Sequence, residues 1–155
     1  MVYCSSDAWA GDSGPDENVV GWQFRGQRII DAALSTLMMQ QGLGSLPNTR
    51  LLFAGCSAGS RGAMFNLDRI TASAPAGMQV FGLFDSPLWV DEVPLVTPQC
   101  EAGQAQACTL PLQNETQAVY ALVNATAVLG AGCIAAYPEP AEQWKCLYGQ
   151  VSGPR

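Results

Sequence analysis

Histidine is missing altogether from these 155 residues, and lysine occurs once, at Lys145. Without histidine there is no imidazole to act as a general base at neutral pH or to ligate a metal. No C-x-x-C pair occurs either, so the common zinc patterns have nothing to start from. Charge is sparse, with seven bases against thirteen acids and a net charge of −6. No basic run can neutralise a row of phosphates, which argues against a nucleic-acid partner. No apolar stretch approaches the roughly 20 residues that cross a bilayer, so no membrane span is expected. Met1-Val2-Tyr3-Cys4 opens without the basic and apolar regions of a signal peptide, so no export signal is expected in this sequence.

What is present argues for a folded domain. Apolar residues make up 48% of the chain against 13% charged, the reverse of a disordered composition. A chain of 155 residues fits one domain that hides roughly two thirds of its unfolded surface. Six cysteines (Cys4, Cys56, Cys100, Cys108, Cys133 and Cys146) are many for a reducing compartment and favour disulfides over a metal, although spacing leaves their pairing open. The tripeptides Asn114-Glu115-Thr116 and Asn124-Ala125-Thr126 are acceptor sequons for glycosylation and point the same way. No cofactor or metal is expected.

The chain reads as a single domain, 1–155, in three stretches. Residues 1–23, rich in Gly, Ser, Asp and Pro, are expected to form a surface loop. In residues 24–90, Ile30, Ala33, Leu34, Leu37 and Met38 recur at helical spacing, and Gly42 supplies a stop. Leu51-Leu52-Phe53-Ala54 reads as a strand covered on both faces, Arg61 to Ile70 as a helix with Met64, Leu67 and Ile70 on one side, and Gln79 to Phe84 as a second strand. In residues 91–155, the Pro-rich run from Asp91 to Pro111 is expected to be a loop crosslinked through Cys100 and Cys108. Thr116 to Leu129 is expected to be helical, and the tail with Pro138, Pro140, Trp144 and Cys146 irregular. Helix, strand, helix, strand is the rhythm of an α/β layered domain.

Between the first strand and the second helix lies Gly55-Cys56-Ser57-Ala58-Gly59, which fits the Gly-x-Ser-x-Gly nucleophile elbow in the strand–turn–helix setting that motif requires. Such a turn leaves no room for bulk two positions before and after the serine, and it sets the serine ahead of a helix N-terminus whose N–H groups favour developing negative charge. Ser57 is therefore the candidate nucleophile, and the N–H of Ala58 the candidate oxyanion donor. Cys56 is a rival nucleophile, but nothing here activates it, and a buried, small apolar role is expected instead.

The ordered set Tyr3 to Asp12 (Y-C-S-S-D-A-W-A-G-D), Phe24-Arg25-Gly26, Gly55-Cys56-Ser57-Ala58-Gly59, Asn66-Leu67-Asp68-Arg69, Gly82-Leu83-Phe84-Asp85-Ser86 and Trp144 to Gly149 (W-K-C-L-Y-G) resembles the pectin acetylesterase and Notum family of carboxylesterases. The resemblance implies an α/β-hydrolase-like three-layer sandwich with a mostly parallel sheet, here incomplete, and a secreted or cell-wall setting. It also implies a Ser-Asp-His triad that removes acetyl or fatty acyl groups from an acylated polysaccharide or an acylated protein. It assigns Ser57 and Ala58 as above. It puts the triad Asp and His beyond the Trp144-Lys145-Cys146 segment and a Gly-rich oxyanion loop before Tyr3, so both are expected outside this sequence. The sequence departs from the family pattern at Ser60, where a second glycine is usual, and at Pro87 after Asp85-Ser86. The alternative expectation is a non-catalytic acyl- or glycan-binding form.

Other candidates have plainer readings. Asp85 at a strand end is expected to form a turn; Asp7 and Asp12 are expected to be solvated loop residues; Asn66 and Asp68 are expected to make tertiary hydrogen bonds. Trp9 and Trp22 are placed either at a pocket or in packing. Lys145, the lone lysine, is the only conceivable amine base.

Overall fold

The structure, a computed structural model, describes residues 1–14, 16, 21–90 and 112–148. Its elements are α1 (Gly26–Gln41), β1 (Arg50–Cys56), α2 (Ala58–Ser73), β2 (Gln79–Asp85), α3 (Leu112–Val123), a 3-10 turn (Ala125–Val128), α4 (Ala131–Ala136) and a 3-10 helix (Pro140–Leu147). The expected loop through Cys100 and Cys108 lies outside the described residues.

Helix α1 ends where glycine was expected to end it. Gly42 takes a left-handed φ of 70°, and the next N–H, of Leu43, donates to Leu37 C=O. Strands β1 and β2 pair in parallel, from Arg50 opposite Gln79 to Cys56 opposite Asp85, with α2 as the crossover between them. On one face of this ribbon Leu51, Phe53 and Val80 pack against Trp9, Ile30 and Leu34 of α1, and Ile70 of α2. Ile30 and Ile70 are almost fully buried, each contributing roughly 1.5–3 kcal/mol.

The other face departs from expectation. Leu52, Phe81 and Leu83 are 61%, 49% and 58% exposed, so β1 is covered on one face and not on both among the described residues. Both helices beside the ribbon sit on the same side of it, so among the described residues the alternate side chains of each strand have no layer over them.

A second core joins Phe65 of α2 to Val123, Val128 and Leu129, to Ala8 and Ala10 of the N-terminal loop, and to Leu147. Phe65 and Asn66 rather than Met64 and Leu67 lead the buried side of α2, because this helix is buried against two layers. A disulfide between Cys133 and Cys146 ties α4 to the last 3-10 helix. The helix expected over residues 116–129 stops at Val123, since Asn124 is left-handed (φ 51°) and restarts the chain as a 3-10 turn. The tail expected to be irregular winds from Pro140, a residue suited to a helix start, to Leu147.

The largest correction concerns the N-terminal loop. It has no helix or strand among its described residues 1–14, yet Ser5, Asp7, Ala8, Trp9, Ala10, Gly11 and Ser13 are buried. Asp7 organises it. Its Oδ1 accepts the Ser5 hydroxyl and the Trp9 N–H, while its Oδ2 accepts the N–H groups of Gly11 (3.1 Å) and Gly26 (2.7 Å). Gly26 opens α1, so a distant carboxylate caps a helix whose own flanking residue, Arg25, offers no cap. By taking up these donors, Asp7 lets a loop without helix or strand be buried.

Candidate active site

The site is built on the junction of β1 and α2. Ser57 is exposed and holds φ 54°, ψ −120°, a sparsely populated conformation for a residue with a Cβ, costing about 1–3 kcal/mol. Three hydrogen bonds hold it there. The Ser57 N–H donates to Asp85 C=O at 3.0 Å, and the Ser57 carbonyl accepts the N–H groups of Ser60 (3.0 Å) and Arg61 (3.1 Å). The chain thus leaves a strand and enters a helix within one residue, with the Ser57 side chain at the apex.

The two motif glycines serve different ends. A Cβ at Gly55 would stand 2.2 Å from the Gly59 carbonyl carbon and oxygen, so the turn cannot close around any larger residue. A Cβ at Gly59 would meet nothing within 4 Å, so steric crowding, the reason expected for it, does not apply. Gly59 faces open space, and that space is a cavity of about 470 Å³ lined by Ser57 itself. Its walls are Met1, Tyr3 and Trp9 of the N-terminal loop, Ile30 of α1, residues 53–56 of β1, and Ala58, Gly59, Gly62 and Ala63 of α2. The size suits a small ligand or the reacting end of a larger one. The N–H groups of Ala58 and Gly59 open α2, where no intrahelical acceptor exists, so they are available to an anion at the cavity floor.

Trp9 forms one wall and is itself under constraint. It has φ 61° and follows Ala8 at φ 49°. The Asp7 carboxylate holds its N–H, its indole lies over Gly62 where a Cβ would come within 2.3 Å, and its carbonyl accepts Asn66 Nδ2 at 2.9 Å. Trp9 therefore lines the cavity and packs the core together. Trp22 does neither and is 68% exposed.

The remaining candidates fall into place. Asn66 makes the tertiary bonds expected of it, donating also to Gly62 C=O and accepting from Arg69, which pairs with Asp31. Asp68 is exposed. Asp12 pairs with Arg28 at the surface, whereas Asp7, expected to be solvated, is buried and accepts four donors. Asp85 ends β2, and its carboxylate accepts the Ser86 hydroxyl and faces the Cys56 thiol. Cys56 is exposed rather than buried, because it points to the uncovered face of the ribbon. The hydrogen bond to Asp85, reinforced by its charge, pushes the thiol above its ordinary pKa, the opposite of activation. Lys145 is likewise held by Glu142, which raises its pKa and removes it as a base. Among the described residues no group of His, Cys, Asp and Glu is placed to hold a metal ion.

Sequence reasoning missed the Asp7 hub and the role of Tyr3, whose hydroxyl accepts the Ala8 N–H at 2.7 Å. The one signal was a pair of glycines, Gly11 and Gly26, where an added Cβ would run into the Asp7 carboxylate and into the backbone of Phe24 or Trp9.

The family model of the pectinacetylesterases matches residues 1–152. This chain belongs to that family. Within its wider group, it is 31% identical over 158 residues to the palmitoleoyl-protein carboxylesterase NOTUM of Drosophila melanogaster, covering 96% of this chain and 21% of that protein. It is also 31% identical over 154 residues to human NOTUM, covering 96% of this chain and 29% of that protein. The structure of the Wnt deacylase Notum from Drosophila superposes with a TM-score of 0.77 at 28% identity, over 98% of this chain and 40% of that one. The α/β-hydrolase-like fold expected from the sequence is thereby shown, while this pectinacetylesterase chain spans less than a third of the curated relatives it matches.

Proposed function

We propose that the 155 residues form one folding unit of a serine carboxylesterase and that Ser57 is its nucleophile. The observation that carries this is the backbone of Ser57, kept in a costly conformation whose effect is to present a hydroxyl to a cavity at a helix start. Ser57 Oγ attacks the ester carbonyl carbon while its proton passes to a general base. The Ala58 N–H donates to the resulting oxyanion, the alcohol leaves with a proton from the protonated base, and water releases the acid from the acyl-enzyme. No histidine exists in these residues, so the imidazole for this reaction comes from outside them. Acylated polysaccharide and acylated protein are the candidate substrates, the first suggested by the family and the second by the names of the relatives. The Cys133–Cys146 disulfide supports an extracellular setting.

In a longer form that contains the base, Ser57→Ala is expected to lower kcat for an aryl acetate by at least about 10³-fold with KM little changed. Retained turnover in that variant defeats the assignment. The missing imidazole favours a second reading, in which the chain binds an acylated ligand without turning it over. Binding of an acylated sugar by the 155-residue chain, with no such turnover in any longer form, decides for it.

A further inference from the structure

Two tripeptides of this chain carry the acceptor pattern for N-linked sugar, and the fold treats them differently. In Asn114-Glu115-Thr116 the asparagine and the threonine both belong to α3 (Leu112–Val123), where residues two apart stand roughly 200° from one another around the axis. Asn114 is accordingly exposed while Thr116 is fully buried. A transferase that must engage the carboxamide and the hydroxyl together meets both only if the first turns of α3 unwind.

Asn124-Ala125-Thr126 is arranged the other way round. The helix has ended at Val123, and Asn124 takes a left-handed conformation (φ 51°, ψ 61°) that asparagine adopts more readily than most residues. Val123 and Ala125 are 1% and 0% exposed, so the core holds the chain on both flanks and leaves Asn124 at the surface between them. Thr126 is exposed too, and its hydroxyl donates to Asn124 Oδ1 at 3.4 Å, which brings hydroxyl and carboxamide together on one surface. Asn124 Nδ2 donates to the Asp12 carbonyl, also at 3.4 Å. Both bonds are long, so the carboxamide is oriented without being locked.

Resting on the extracellular setting, we propose that Asn124 is a site of N-linked glycosylation that stays open to the transferase after folding, whereas Asn114 closes once α3 has formed. The donor is an oligosaccharide carried on a lipid diphosphate. A bond forms between Asn124 Nδ2 and the anomeric carbon as the bond from that carbon to the diphosphate oxygen breaks. One amide proton passes to a base of the transferase, and the lipid diphosphate leaves with the electron pair. Asn124 does not line the Ser57 cavity. The sugar stands instead where the Asp12 N–H meets the Val123 carbonyl (2.9 Å), at the seam between the N-terminal loop and the end of α3.

The test incubates the folded, disulfide-bonded 155-residue chain with a purified oligosaccharyltransferase and a lipid-diphosphate oligosaccharide. A synthetic peptide of residues 110–130 serves as the unfolded reference. Modified positions are read by mass spectrometry after a glycosidase has converted each sugar-bearing asparagine to aspartate. The peptide is expected to accept sugar at both asparagines, and the folded chain at Asn124 at least about tenfold faster than at Asn114. Thr126→Ala is expected to abolish modification at Asn124 and to leave Asn114 as it was; Asn114→Gln is expected to leave Asn124 as it was. Absence of sugar at Asn124 in the folded chain, or equal rates at the two asparagines there, would each overturn the proposal. So would a bare Asn124 in a longer form secreted by eukaryotic cells. Retention of that longer form inside the cell would defeat the extracellular setting while the rates on the folded chain still stood, so the two failures are separate results.

Discussion

A single carboxylate shows how much this fold asks of one side chain. Asp7 accepts four donors in a buried setting, and two of them, the N–H groups of Gly11 and Gly26, belong to different parts of the chain. Asp7→Ala leaves at least three backbone N–H groups buried and unpaired, and a loss of more than about 3 kcal/mol in denaturant unfolding is expected. Asp7→Asn is expected to cost less yet still measurably, since its amide presents donors on one side to N–H groups that need an acceptor. Apart from the two glycines that Asp7 serves, little in the sequence separated Asp7, between Ser6 and Ala8, from Asp12, between Gly11 and Ser13, since both fall in one loop-like stretch. The difference is burial, which depends on α1 and α2 closing over the loop. Cys56 presents the converse case. With its pKa raised by Asp85, alkylation by iodoacetamide is expected to be slow near neutral pH and to speed up as pH rises toward the raised value. Asp85→Asn removes the charge that opposes the thiolate, so faster labelling at fixed pH is expected in that variant, and an unchanged rate would contradict the pairing.

Among elements, the strand–turn–helix unit was the most legible, since an apolar run, a glycine-bounded turn and a helical period follow one another within residues 50–73. Its two glycines were read as equivalent, and they are not. Gly55→Ala drives a methyl group into the Gly59 carbonyl and is expected to destabilise by about 3 kcal/mol or more. Gly59→Ala meets no neighbour and, lying in a helix, is expected to hold or raise the unfolding temperature while narrowing the cavity. Thermal unfolding of the two variants side by side tests this; equal destabilisation would refute the distinction. The C-terminal helices were harder to read, because their limits depend on Asn124 taking a left-handed turn and on the Cys133–Cys146 bridge, neither of which leaves a periodic trace.

At the scale of the whole molecule, the face of the ribbon that no described residue covers is expected to set its behaviour in solution. Leu52, Phe81 and Leu83 form an exposed apolar strip on a parallel pair, a kind of sheet that is ordinarily covered on both faces. The isolated chain is expected to elute from size exclusion as associated species, and Phe81→Lys with Leu83→Lys to shift it toward the monomer without changing its far-UV dichroism. The cavity, at the junction of β1 and α2, depends on contacts far apart in sequence. Asn66 reaches back 57 positions to the carbonyl of Trp9, and Asp7 reaches forward 19 to Gly26. Loop-closure entropy delays such pairings until the local helices exist. The wall that Trp9 contributes is therefore expected to assemble late in folding, and a chain that presents the cavity has brought its first ten residues, α1 and α2 into register.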